Sequence, residues 1–197
     1  MRFVIITLLP VLLLSGCEQP LVTDQQSSEK LNKFMEVVID GDGKFPEFLV
    51  GRWKADKNNW DFVFNPDGSL ESAVINSGRA RIHPGKTMVI PMKGGDEGVL
   101  KPGPWFVGYL KARSELTVEI NMEEVYFELG TTLLFGSIND RFVGVVSQDS
   151  DQWHVDWTSN LDLAAKAPGE DVIPAKDTEE YKLIFTKVTD SDEDHDH

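Results

Sequence analysis

The 197 residues include one cysteine, Cys17, four histidines, and 33 acidic against 19 basic side chains. A lone cysteine forms neither an intramolecular disulfide nor a multi-cysteine metal site, so its chemistry is that of a single thiol. His154 and Asp156 stand two apart in a β-rich run. A period of two puts them on one strand face, with Trp153, Val155 and Trp157 on the other. A general base and its orienting carboxylate need that placement, but so does a plain solvated face. No nucleophile motif accompanies the pair, and the solvated face is the reading taken. His195 and His197 alternate with aspartates in Asp190-Ser191-Asp192-Glu193-Asp194-His195-Asp196-His197. There a metal would have to order a polar tail, so only weak binding is expected. No G-x-S-x-G, H-E-x-x-H, G-x-x-x-x-G-K-[ST] or G-x-G-x-x-G occurs. No catalytic residue, metal site or cofactor is expected, and an enzyme ranks behind a binding or assembly role.

Asp40-Gly41-Asp42-Gly43-Lys44-Phe45 resembles the middle of an EF-hand calcium loop. With Gly43 on the invariant glycine, Val38 and Leu49 fall where a first aspartate and a bidentate glutamate belong. Two apolar ligands leave an Asp-Gly turn as the expectation. The formal charge of −14 repels phosphate backbones, so nucleic acid is not an expected partner. The acidic excess is concentrated in residues 167–197, with three basic and ten acidic side chains. Residues 189–197 are read as an acidic disordered tail.

Residues 1–16 have the form of a signal peptide: a positive start at Met1-Arg2, an apolar run from Phe3 to Leu14, then small Ser15 and Gly16. The run is too short to span a bilayer. Leu14-Ser15-Gly16-Cys17 resembles the bacterial lipobox. That resemblance implies acylation at Cys17, cleavage before it, and a lipid anchor in the cell envelope. By the sorting pattern of such lipoproteins, Glu18 implies the outer membrane. Residues 17–28 read as a flexible lipidated linker, and residues 29–188 as one domain.

The elements expected in that domain are mostly strands. A helix is predicted from Glu29 to Ile39, with Leu31, Phe34, Met35 and Val38 on one face. From Phe48 onward, short β-rich runs alternate with turn residues. The clearest hairpin joins Trp60–Phe64 to Ser69–Ile75 through Asn65-Pro66-Asp67-Gly68, which puts Trp60, Phe62 and Phe64 on one face. A second turn is predicted at Asn139-Asp140, and a short helix from Asn160 to Ala167 before Pro168. Pro91–Pro104 is read as a surface loop, with a mobile flap over the domain as the sharper alternative.

Gly51-Arg52-Trp53, preceded by Phe48-Leu49-Val50 and followed by the Trp60 hairpin, resembles the G-x-W of the first lipocalin strand. The resemblance spans roughly Phe48 to Val188. It implies an all-β, antiparallel up-and-down barrel with the N-terminal helix beside it, Tyr181–Val188 closing against the first strand, and structural roles for Gly51 and Trp53. A β-sandwich is the alternative. Its functional implication is a noncatalytic module for a small lipophilic or amphipathic ligand, held at the membrane through Cys17. The competing expectation is an assembly lipoprotein that docks an envelope protein and binds no small molecule. An open interior favours the first and a filled one the second.

Overall fold

The computed structural model describes residues 33–75, 80–91 and 96–189, all within the compact unit that begins at Leu31. Twelve strands form one mixed, mostly antiparallel sheet. They are β1 (Met35–Ile39), β2 (Gly51–Ala55), β3 (Asp61–Phe64), β4 (Leu70–Val74), β5 (Arg81–Ile82), β6 (Met88–Pro91), β7 (Glu97–Pro102), β8 (Trp105–Leu110), β9 (Glu115–Leu129), β10 (Thr132–Ser147), β11 (Gln152–Lys166) and β12 (Ile173–Lys187). The sheet runs β1-β8-β9-β10-β11-β12-β2-β3-β4-β5, and β7 and β6 continue from the far half of β9. β1 and β8 run parallel; the other pairings are antiparallel.

The all-β expectation holds, but the barrel and the sandwich do not. There is one sheet rather than two, and its terminal strands β1 and β5 are not hydrogen-bonded to each other. Side chains bridge the gap instead. Phe45, after β1, lies 5.7 Å from the Phe64 ring and 6.5 Å from the Tyr109 ring. A Cβ on Gly68, in the β3–β4 turn, would stand 2.8 Å from Phe45 and 3.1 Å from Val37. The sheet therefore coils until its ends touch through side chains. β5, only two residues long, offers too little backbone to complete a ladder.

Among the described residues there is no α-helix. The predicted N-terminal helix is contradicted where the structure describes it: Met35–Ile39 is β1, with Met35 buried and Val37 and Ile39 packed on the core. The alternating Met35, Val37 and Ile39 win because β8 supplies a ladder that no isolated helix of this length matches. Asn160–Ala167 is also not a helix: β11 runs to Lys166, paired on both sides. Asn139-Asp140 does not turn; it lies inside the sixteen-residue β10. Within Pro91–Pro104, Pro91 ends β6 and Glu97–Pro102 is β7, hairpinned with it, so the loop and flap readings are overturned for those residues, while 92–95 lie outside the described residues. The Asn65–Gly68 hairpin forms as expected: Gly68 N–H donates to Asn65 O at 3.0 Å, and its φ of 86° needs glycine.

The core is aromatic and filled. Trp53, Trp60, Phe62, Phe142, Trp153, Trp157 and Phe185 are all fully or almost fully buried. Phe62 stacks on Phe185 at 5.0 Å and meets Phe142 edge-on at 5.0 Å. Trp53 donates its indole N–H to Leu49 O at 2.9 Å. The indole N–H groups of Trp60, Trp105 and Trp153 have no hydrogen-bond partner. Each is a cost of about 1–3 kcal/mol, offset by the large apolar area of its ring.

Candidate binding face on the sheet extension

β9 to β12 are each 15 or 16 residues long, about 50 Å at the usual strand rise. That is far more than the aromatic core needs. Their far halves, joined by β7 and β6, form a six-stranded extension. A Cβ on Gly144 would lie 1.8 Å from His154 O, and one on Gly136 would lie 2.1 Å from Asp162 O. β10 and β11 approach there as only glycine permits. A bulge against β9 between Gly136 and Ile138 adds to the coil.

The face continuous with the core is apolar across the extension. One cross-strand row reads Met88, Leu100, Val125, Gly136, Leu163, Ala175; the next reads Ile90, Gly98, Phe127, Leu134, Ala165, Ile173. Cover thins along it. Leu100 and Val125 are buried, Phe127, Leu134, Ile138 and Leu161 are half-buried, and Ile173 at the end is 59% exposed. The reverse face carries a third apolar row: Val89, Val99, Tyr126, Phe135, Ala164 and Pro174.

A polar row separates core from extension. Ile120, Asp140, Ser159 and Glu179 lie opposite one another across β9 to β12. Asp140 is buried and accepts the Trp157 indole N–H at 3.1 Å. Burial pushes its carboxyl up to about 6. Hydrogen bonds from Ser159 and Trp157 work against that rise, and the Glu179 charge adds to it. Asp177 follows Glu179 on this inner face of β12, opposite Leu161. From Asp140 to the tips of β9–β12, the charges on the inner face are Asp140, Asp177 and Glu179, all acidic. On the reverse face β12 is matched with β11: Lys176 pairs with Asp162 at 2.9 Å, Lys182 with Asp156 at 2.5 Å, and Thr178 Oγ1 donates to Asn160 at 3.2 Å.

His154 and Asp156 share the reverse face, lining with Asp56, Lys182 and Ile184 a shallow cleft of about 350 Å³. Asp156 there is bound to Lys182, and His154 is exposed. Asp42 accepts from Lys44 N–H at 3.3 Å and faces Lys111 Nζ at 3.6 Å, while Asp40 donates its backbone N–H to Tyr109 O. The loop follows a strand rather than a helix. Gly51 opens β2 with φ 110°. Cys17, His195 and His197 lie outside the described residues. The Asp140 row was not singled out from the sequence. Its signal was the alternation through Phe142, Asp140 and Ile138, which the Asn-Asp turn reading cut in two.

On the reverse face of the core, Asp61 is buried between two arginines. Arg52 Nε donates to its Oδ2 at 2.8 Å and Arg81 to its Oδ1 at 3.0 Å, while Arg81 also reaches Ser72 Oγ at 2.8 Å. This cluster ties β2, β3, β4 and β5 together and satisfies its own buried carboxylate. No family model, curated protein or solved structure matches the chain.

Proposed function

We propose that this chain is a noncatalytic envelope lipoprotein whose β domain docks another envelope protein on the six-stranded extension. The observation that carries the reading is the apolar inner face of the extension, only partly covered by the described residues, beside a closely packed aromatic core. The Phe62, Phe142 and Phe185 rings pack at 5.0–6.1 Å between centroids, which favours docking over a ligand held among them, and rows of half-buried apolar side chains at the edge of a fold mark a surface that gains by being covered. The anchor in this reading is acylated Cys17. The Leu14-Ser15-Gly16-Cys17 resemblance supports it, and Glu18 favours the outer membrane. Stable anchoring needs more than one acyl chain, so the mature form carries several.

A second reading keeps the small lipophilic or amphipathic ligand implied by Gly51-Arg52-Trp53 but moves it from a barrel lumen to the inner face. Phe127, Leu134, Ile138 and Leu161 favour it, because half-buried side chains of this kind can line an acyl chain.

Photo-crosslinking separates the two. A photoreactive residue at Leu134 or Ile138 in living cells should yield a discrete protein adduct, and one at Leu110, outside the extension, should not. Lipid adducts from Leu134, with no protein adduct, would transfer the function to the second reading.

A further inference from the structure

β12 has an unfinished edge. One side of it pairs with β11 from Ile173 to Thr186, but the other pairs with β2 only from Phe185 to Lys187. Among the described residues, no strand pairs with that side of Ile173 to Leu183.

The directions of its free backbone groups follow from the neighbouring bonds. Ile184 turns both N–H and C=O to Asp56 on the β2 side, and Lys187 N–H turns to Asp151 on the β11 side. In an unbulged antiparallel strand these directions alternate. Lys176, Thr178, Glu180 and Lys182 therefore point their N–H and C=O to the open side. Thr178 agrees, since its N–H is free to bond the Asp177 carboxylate at 2.8 Å.

Edge charges often serve only to discourage pairing. Here the two faces differ. Lys176 and Lys182 are neutralised by β11 on the reverse face, while Asp177 and Glu179 on the apolar inner face have no cationic neighbour among the described residues. A second copy of this chain fits poorly. Laid antiparallel in the register centred on Thr178, it sets Asp177 against Glu179 twice, and each chain carries −14.

We infer that the open edge of β12, from Ile173 to Leu183, accepts an added strand from a protein partner whose inner-face residues opposite Asp177 and Glu179 are lysine or arginine, with apolar residues on either side. The backbone ladder supplies the binding, and the two carboxylates supply register and selectivity. The added strand widens the inner face by one row. This inference rests on the docking reading and names the partner's chemistry.

The test uses the detergent-solubilised full chain and a synthetic peptide in which threonines alternate with Val, Val, Lys, Lys, Val and Val, beside a twin with Glu for Lys. The lysine peptide should bind and the glutamate twin should not, by fluorescence anisotropy. In D177K/E179K the preference should reverse. Glu180→Pro removes an outward N–H without touching the β11 ladder, and should weaken the lysine peptide about tenfold. Asp177, Glu179 and Glu180 are not buried, so unchanged circular dichroism is expected of all variants. No binding of the lysine peptide, equal binding of both peptides, or indifference to Glu180→Pro would overturn the inference. So would concentration-dependent dimerisation abolished by Glu180→Pro, which would assign the edge to a second copy. If the peptide fails while Leu134 still crosslinks to a protein, strand addition is wrong and docking stands. If the peptide binds and Leu134 captures none, the converse holds.

Discussion

Trp157 donates its indole N–H to Asp140 Oδ1 at 3.1 Å, and this bond joins the aromatic core to the extension. Trp157 packs on Phe142 behind it and stacks on half-exposed Tyr181 at 5.4 Å. Asp140 is thus held at the boundary where a solid interior becomes an open apolar face.

The carboxyl of Asp140 titrates near 6, above the 3.8 expected of an unfolded aspartate, chiefly because it is buried. The folded state therefore holds its proton more tightly, and between about pH 4 and 6 unfolding releases it. Stability should fall as pH rises through this window and level off above it, by roughly 2–3 kcal/mol from this group. Asp140→Asn still accepts from Trp157 and lacks the titration. Melting temperatures of the two proteins should diverge from pH 4 to 7, with the variant gaining. Parallel curves would refute the assignment.

Gly144→Ala should be far worse than Gly43→Ala. At Gly144 the new methyl meets the His154 carbonyl at 1.8 Å, a backbone obstacle, while at Gly43 it meets nothing within 4 Å. Gly43 has only the cost of its φ of 69°, about 1 kcal/mol. Gly144→Ala should lose more than 3 kcal/mol in urea unfolding, since β10 and β11 must separate to admit it.

Asp61→Asn removes the charge that two arginines share, and should cost about 1–3 kcal/mol. Lys101→Ala breaks a pair with Glu124 that is 43% and 64% exposed, and should change stability by less than about 0.5 kcal/mol. Denaturant midpoints of the two variants measure the difference.

Amide exchange should alternate along β12. Asp177, Glu179 and Tyr181, bonded to β11, should be protected; Lys176, Glu180 and Lys182, turned to the open edge, should exchange orders of magnitude faster. Uniform protection would mean that the edge is covered.

Short-range signals were legible in the chain. Asn65-Pro66-Asp67-Gly68 carries its own turn chemistry, and the alternation of Trp60, Phe62 and Phe64 declares a shared buried face. Longer-range choices were not. Leu161, Ala164 and Ala165 suit a helix, but β10 and β12 on either side offer ladders that outweigh a propensity difference of tenths of a kcal/mol per residue. Asn139-Asp140 looks like a turn until the Trp157 N–H satisfies the aspartate inside a strand.

By itself, then, the sequence determined that the domain is built mostly from strands, that Trp60, Phe62 and Phe64 share a face, and where the Asn65–Gly68 hairpin turns. Those properties depend on neighbours two to five residues away. Tertiary structure alone decided that β1 runs parallel to β8, that the coil stops short of a closed barrel, and that one apolar face is packed with rings near Phe62 and only partly covered by the described residues near Leu134. Alternation assigns a side chain to a face, but what lies against that face is set by strands far away in sequence. Whether it becomes core or surface is a matter of how many of them arrive.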